Sequence, residues 1–216
     1  MKQLSNYQRT TNYLVKVFKA VNEEYFNNEL ETPTITIQTS VGAYGHITTS
    51  KVWNNNGVST YELNIGAETI SRPIENVVAT MIHEACHLYA LMHDIKDTNN
   101  RGVYHNKRFK KIAEEMGHLQ IEQHERYGWT ITHPTEDTIN FCIANGFEDI
   151  LINRESPYSF RGIGVATTGN GTPAAPKVRK PSSTRKYICP CCGNSFRATK
   201  DLNVMCMDCD VQFVKA

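Results

Sequence analysis

The run "ATMIHEACHLYALMHD", Ala79 to Asp94, sets three histidines and a glutamate in an otherwise apolar stretch. Its flanks, "VVATMI" and "LYALM", read as a helix buried in a core. A buried, unpaired glutamate is costly, so a fold built on this helix must give the polar cluster a partner. The block His83-Glu84-Ala85-Cys86-His87 indicates which one. Helical residues four apart share one face, about 6 Å apart, so His83 and His87 offer two imidazoles to one ion. Imidazole suits zinc, and a catalytic zinc takes three protein ligands and keeps one position for water. Glu84 lies about 100° round the helix from His83. There it sits beside the ion and can take a proton from a zinc-bound water of lowered pKa. His-Glu-x-x-His is the metalloprotease arrangement for this reason. The competing reading is a pair of hydrogen-bonded core or surface histidines.

Two histidines compete to be the third ligand. His93 follows His87 by six residues, but Ala90 stands where the extended pattern needs a turning glycine. On a continuing helix His93 is carried about 9 Å further along the axis, out of reach. His105 opens a helix predicted over Tyr104 to Met116, with Gly117 as its stop. On that helix His105, Phe109, Ile112, Ala113 and Met116 share one inward face. Spacing alone leaves His105 open as either a ligand or a capping or core histidine.

The remaining pattern predicts an α+β fold. A helix is expected from about Tyr7 to Leu30, with Leu14, Val17, Phe18, Val21 and Tyr25 on one face. Three strand-like runs follow, "TITIQT", "AYGHITTSKVW" and "TYELNIG", as a small antiparallel-rich meander with a turn at "NNNG". The His-Glu-x-x-His helix starts near Pro73 and ends near Met92, and "DIKDTNNRG" is loop. "LQIEQHERYGWTITHPT" has the character of a strand pair, and "TEDTINFCIANG" that of a short helix ended by Gly146. The Gly, Pro, Ser and Thr content after Arg161 is that of a linker.

The tail carries two Cys-x-x-Cys pairs, Cys189/Cys192 and Cys206/Cys209, thirteen residues apart. Four thiolates close a structural zinc site. So short a tail cannot bury enough apolar surface to fold without a metal. Gly193 fits the tight turn of such a knuckle and favours Cys192 over Cys191, and "NSFRATKDLNVM" suits a hairpin between the pairs. Cys86 and Cys142 read as buried thiols. The expected organisation is a main domain over 1–153, a linker over 154–186 and a zinc ribbon over 187–216. The segment from Ser156 to Lys186 holds six basic residues and no acid, although the whole chain carries a net charge of only +1. Lys177, Arg179 and Lys180 there, with Arg197 and Lys200 in the tail, are candidate phosphate contacts, and Phe196 and Phe213 candidate stacking platforms. A solvated basic linker is the plainer alternative. The N-terminus lacks a secretory apolar region, and no run is long enough to span a bilayer. A cytoplasmic protein with reduced thiols and no membrane partner is therefore expected.

"HEACH" followed by "YHNKRFKKIAEEMG" resembles the SprT-like (Spartan-type) zinc metallopeptidases, as do "AVNEEYFNNEL", "ITIQ", a Trp-containing strand and the four-cysteine tail. The resemblance implies a compact zincin-like, minigluzincin-type core, a catalytic zinc on His83, His87 and His105, and Glu84 as general base. It also implies a protease acting on proteins bound or crosslinked to DNA. Asn106 stands where the family often has glycine, a departure that concerns the local loop and not the ligand. A repressor-cleaving protease is a rival enzyme. A nucleic-acid-binding regulator with two structural zincs and no hydrolysis is the rival of another class, and the intact Glu84 argues against it. A peptide substrate is expected to add to the strand around "YGHITTSKVW", where His46 could touch it, although a surface histidine is the plainer reading. Tyr104 and Tyr127 are candidate transition-state donors.

Overall fold

A computed structural model describes residues 4–155, 185–198 and 200–215, apart from the side chains of Arg185 and Arg197. They form two compact units, one within Met1–Thr167 and one within Thr168–Ala216. Among the described residues no helix is long and apolar enough to cross a membrane.

The first unit is a mixed α+β structure. Helix α1, Tyr7–Phe26, starts at Asn6, whose side chain accepts hydrogen bonds from the Gln8 and Arg9 amides. Leu14, Val17, Phe18, Val21 and Tyr25 are buried on one face, as their periodicity requires. The helix ends four residues earlier than expected. Asn27 and Asn28 take positive φ, and the buried Asn22 side chain bonds both the N–H and the C=O of Leu30. Leu30 is therefore buried by a loop clamp and not by a further helical turn.

Strand β1, Thr34–Gln38, pairs in parallel with β5, Glu62–Gly66, and β2, Gly45–Ile47, pairs antiparallel with the other edge of β5. The sheet order β1-β5-β2 replaces the expected meander. The run "AYGHITTSKVW" divides into β2 and β3, Trp53–Asn55. The latter forms a separate hairpin with β4, Val58–Thr60, through Asn56 and Gly57 at positive φ. Leu63 and Ile65 of β5 are fully buried.

Helix α2, Ile74–Met92, is buried over most of its circumference. Asp149 accepts from the Ile74 amide at 2.8 Å and satisfies its first turn. A second sheet, ordered β6-β7-β9-β8, is built from β6 (Thr98–Asn99), β7 (Tyr104–His105), β8 (Gln120–His124) and β9 (Gly128–His133). Helix α3 covers Lys107–Glu115 and α4 covers Glu136–Ala144, the latter opened by a capping box at Thr135. Arg154 packs back on this unit, its amide on the Ala67 carbonyl and its Nη1 on Thr39 Oγ1.

In the second unit β10, Arg185–Ile188, pairs with β11, Ser195–Ala198, and with β14, Val214–Lys215. Strand β12, Met205–Cys206, pairs with β13, Val211–Gln212. Among the described residues β11 and β12 do not form the hairpin expected between the cysteine pairs: β11 pairs back on β10 across the first pair, and β12 pairs with β13 across the second. Tyr187 stacks on Phe196 at 5.1 Å, and Phe196 meets Phe213 edge-on at 5.0 Å.

Candidate metal centres

His83 and His87 project from α2 four residues apart, as their spacing requires. His105 reaches them from a different element than expected. It lies on β7 and not on α3, which begins at Lys107 with Asn106 as its cap. Asn106 accepts from the Arg108 and Phe109 amides, so asparagine is suited to this position by capping. The His105 backbone is fixed from both sides, by Thr98 on β6 and by Gly128 on β9. Its amide bonds the Tyr127 carbonyl at 2.9 Å. Gly128 permits this approach: its φ is +73°, and a Cβ there would lie 2.1 Å from the His105 carbonyl oxygen.

The three Nε2 atoms converge. His105 Nε2 lies 3.3 Å from that of His83 and 3.0 Å from that of His87. Nitrogens at three corners of a zinc tetrahedron are about 3.3 Å apart, given Zn–N bonds of about 2.0 Å. The outer nitrogens of the α2 pair are engaged. His87 Nδ1 lies 2.5 Å from Asp97 Oδ2, and His83 Nδ1 lies 2.7 Å from Thr132 Oγ1. With Nδ1–H donating to those oxygens, Nε2 is left as a lone pair facing the centre. With a third lone pair from His105 Nε2, the spacing and donor set of the trio fit a zinc ion. Among the described residues the buried Nδ1 of His105 has no hydrogen-bond partner. Burial, with its two histidine neighbours, holds His83 well below the ordinary histidine range. Burial and His87 hold His105 down to about 4. Both rings are neutral at pH 7, the form that ligates metal. Phe109, fully buried, is the floor of the site, with ring centroids 4.5, 4.4 and 4.7 Å from those of His83, His87 and His105.

Glu84 is buried beside this centre. Burial raises its carboxyl to about 7, opposed by His87 and the Ile47 backbone N–H. A cleft of about 320 Å³ opens over the site, lined by the three histidines, Glu84, Asp97 and Thr132, and by Tyr44 to Ile47, Arg72 and Thr80 further along. Strand β2 forms one rim. His46 pairs with Asn64, and the flanking Tyr44 carbonyl and Thr48 amide bond Gly66 and Glu62. By antiparallel alternation, Gly45 and Ile47 turn their backbone groups to the outer edge, which no strand pairs among the described residues; the Ile47 N–H there meets Glu84. The strand lies close to α2, where a Cβ on Gly45 would be 3.1 Å from Thr80 Cγ2 and 3.5 Å from Glu84 Cγ.

The other candidates fall elsewhere. His93 caps α2 and pairs with Glu29 at 2.8 Å, outside the cluster. His46 is exposed on the cleft rim, 3.2 Å from Ser40 Oγ. Tyr104 and Tyr127 do not line the cleft. Asp97, Thr132 and Arg72 carried no sequence signal.

In the second unit Cys189, Cys192, Cys206 and Cys209 bring their sulfurs within 4.8 Å of one another, with Cys192 and Cys206 3.8 Å apart. Sulfurs on a zinc tetrahedron with Zn–S bonds of about 2.3 Å stand about 3.8 Å apart. The cluster fits a zinc ribbon. Gly193 at φ +75° makes the knuckle turn. Cys86 and Cys142 are buried and free, and Cys191 is exposed. Lys200 is exposed. Lys177, Arg179 and Lys180 lie outside the described residues, as does the side chain of Arg197.

No curated protein and no solved structure matches the chain significantly. The family model described as SprT-like family matches residues 14–133, more than half of the chain and the whole span from α1 through both ligand-bearing segments to β9. The chain belongs to the SprT-like family.

Proposed function

We propose that the chain is a zinc-dependent metalloendopeptidase with a zincin-like core, holding one catalytic zinc on His83, His87 and His105 and one structural zinc on Cys189, Cys192, Cys206 and Cys209. The observation that carries this reading is the convergence of three imidazole nitrogens in a cleft shared with Glu84 and a free strand edge. Bound there, zinc supplies a Lewis acid for the substrate carbonyl and an acidified water.

The protein's own groups do the rest. Glu84 takes a proton from water in the cleft and delivers it to the leaving amine. Asp97 and Thr132 hold the imidazoles in the tautomer that turns Nε2 inward. The outer edge of β2, at Gly45 and the Ile47 carbonyl, receives an extended peptide by strand addition, while the Ile47 N–H stays on Glu84. A closed, purely structural site has no need of an acid beside its ligands, and Glu84 therefore favours hydrolysis over the regulator reading.

We assign the four-cysteine unit and the basic residues before it to substrate delivery, with DNA-bound proteins as the substrate class. Family membership, exposed Lys200 and the basic composition of 156–186 support that assignment. The test is cleavage of DNA-binding proteins by the zinc-loaded chain, with and without DNA. The Glu84→Gln variant is expected to keep both zinc ions and lose about 10²–10⁴-fold in rate. Normal cleavage by that variant would overturn the assignment of the base, and DNA-independent cleavage would favour the repressor-type substrate.

A further inference from the structure

Away from the histidines, one group in the cleft is used by nothing described above. Arg72 lies half-buried in the cleft wall, between β5 and the start of α2. Its Nε donates to the Thr69 carbonyl at 2.8 Å, and its Nη2 donates to Thr80 Oγ1 at 2.9 Å. Thr80 Oγ1 in turn donates to the Asn76 carbonyl at 3.0 Å. The guanidinium lies over the Tyr44 ring, 3.9 Å from its centroid. A guanidinium carries five N–H donors, and among the described residues these two bonds leave both Nη1–H groups and one Nη2–H unused. Among the described residues no carboxylate pairs with it. Burial lowers its pKa only to about 10, so it is a cation at neutral pH.

A half-buried cation without a counter-charge is costly, and its neutral partners do not repay that cost. Bracing the 67–73 loop against α2 needs only a neutral donor. The two carboxylates of the cleft are at the histidine end, Asp97 on His87 and Glu84 beside the Ile47 amide. The hydrogen bonds and the Tyr44 ring fix the guanidinium plane, which preorganises it for a planar, bidentate acceptor. Thr80 and Glu84 are four residues apart on α2 and thus separated by about 6 Å along its axis. An extended peptide advances about 3.3 Å per residue. An acceptor at Arg72 therefore belongs to a residue within about three positions of the bond beside Glu84.

We propose that Arg72 forms a subsite for a carboxylate of the peptide substrate, selecting chains with an acidic group within about three residues of the scissile bond. This deepens the peptidase reading and rests on it. The carboxylate can come from an Asp or Glu side chain or from a chain terminus, and the two sources are separable.

The experiment profiles cleavage of a mixed peptide library by the full zinc-loaded chain, with free and with amidated C-termini, for wild type, Arg72→Gln and Arg72→Lys. In wild type, cleavages concentrate where Asp or Glu occupies one fixed position, or within three residues of a free C-terminus. Loss of that concentration on amidation identifies the terminus, and persistence identifies the side chain. For a matched Glu/Gln peptide pair the preference is expected to be about 30-fold, expressed in KM. It should fall below about threefold in Arg72→Gln and be partly retained in Arg72→Lys. The Glu84→Gln protein should bind the Glu peptide more tightly than the Gln peptide by a similar factor, and the Glu84→Gln/Arg72→Gln protein should not. Cleavage without a carboxylate preference, or a preference that survives Arg72→Gln, overturns the subsite and leaves the peptidase reading standing. If wild type cleaves nothing, the peptidase reading fails, and the binding comparison alone decides whether Arg72 recognises a carboxylate.

Discussion

Asp97 tests whether the histidine cluster is a zinc site. It accepts from His87 Nδ1 at 2.5 Å, and both side chains are only 12 % exposed, so little solvent screens the contact. A carboxylate there makes the imidazole a better ligand by stabilising positive charge on the ring. Asparagine keeps an acceptor but removes the charge, and alanine removes both. Loss of such a partner costs about 10–100-fold in metal affinity. We expect about tenfold for Asp97→Asn and about 100-fold for Asp97→Ala, or about 1.4 and 2.8 kcal/mol. Thr132 plays the same part for His83 as a neutral acceptor at 2.7 Å. Thr132→Val should therefore cost less, about 1 kcal/mol or fivefold. The assay is competition for zinc with a fluorescent chelator, with the zinc of the cysteine cluster as internal reference. Melting curves of the zinc-free variants separate lost affinity from lost folding. An Asp97→Ala protein whose affinity for zinc stays within twofold of wild type would refute the reasoning. So would a larger loss from Thr132→Val than from Asp97→Ala.

Two other substitutions probe the frame and the second cluster. Gly128→Ala places a Cβ 2.1 Å from the His105 carbonyl at a positive φ. It should destabilise the first unit by about 2 kcal/mol or more and release its zinc, measured by denaturant titration and metal analysis. A stable variant with full zinc content would contradict that role. Cys206→Ser removes one sulfur of the tail cluster and should cost one zinc per chain while leaving the histidine site filled. Metal analysis and the amide NMR spectrum of the 185–215 region check this, and a folded tail without its zinc would show that the metal is dispensable there.

The legible parts of the chain were those governed by local spacing. Two histidines four apart on an apolar helix, four cysteines in paired knuckles, and the one-sided burial of α1 all follow from periodicity. Parallel pairing of β1 with β5 did not, because non-local pairing leaves no trace in either strand's own pattern. For His105 the resemblance implies a ligand and the sequence pattern predicts a place on α3, whereas the structure puts it on β7. The inward face of α3 is real, with Phe109, Ile112 and Ala113 buried. Extending that face one turn backwards absorbed a residue whose position is set by Thr98 and Gly128. A two-residue strand carries no periodicity at all. Asp97 sits in loop-like sequence, Thr132 in an ordinary strand and Arg72 before a helix-opening proline. Their roles depend on partners distant in sequence or on the cleft they line.

The division of labour between the two frameworks follows from these placements. Helix α2 supplies His83, His87 and Glu84, which keep a fixed mutual geometry because they share one hydrogen-bonded rod. The second sheet and its entry supply the third imidazole and the two groups that orient the helical pair. Asp97 immediately precedes β6, His105 is on β7 and Thr132 is on β9. A ligand set divided in this way would make a bound ion a crosslink between helix and sheet, and part of its binding energy would be interface energy. Phe109 keeps the geometry from depending wholly on that crosslink. Its ring touches all three imidazoles from a third element, α3, so apolar packing holds the rings near each other before any ion arrives. Preorganisation by a buried aromatic floor, with orientation supplied by Asp97 and Thr132, lowers the entropy lost on metal binding. The fold thereby concentrates its precision on the Nε2 positions, and the β2 edge and the Arg72 end of the cleft are where the proposed peptide substrate would lie.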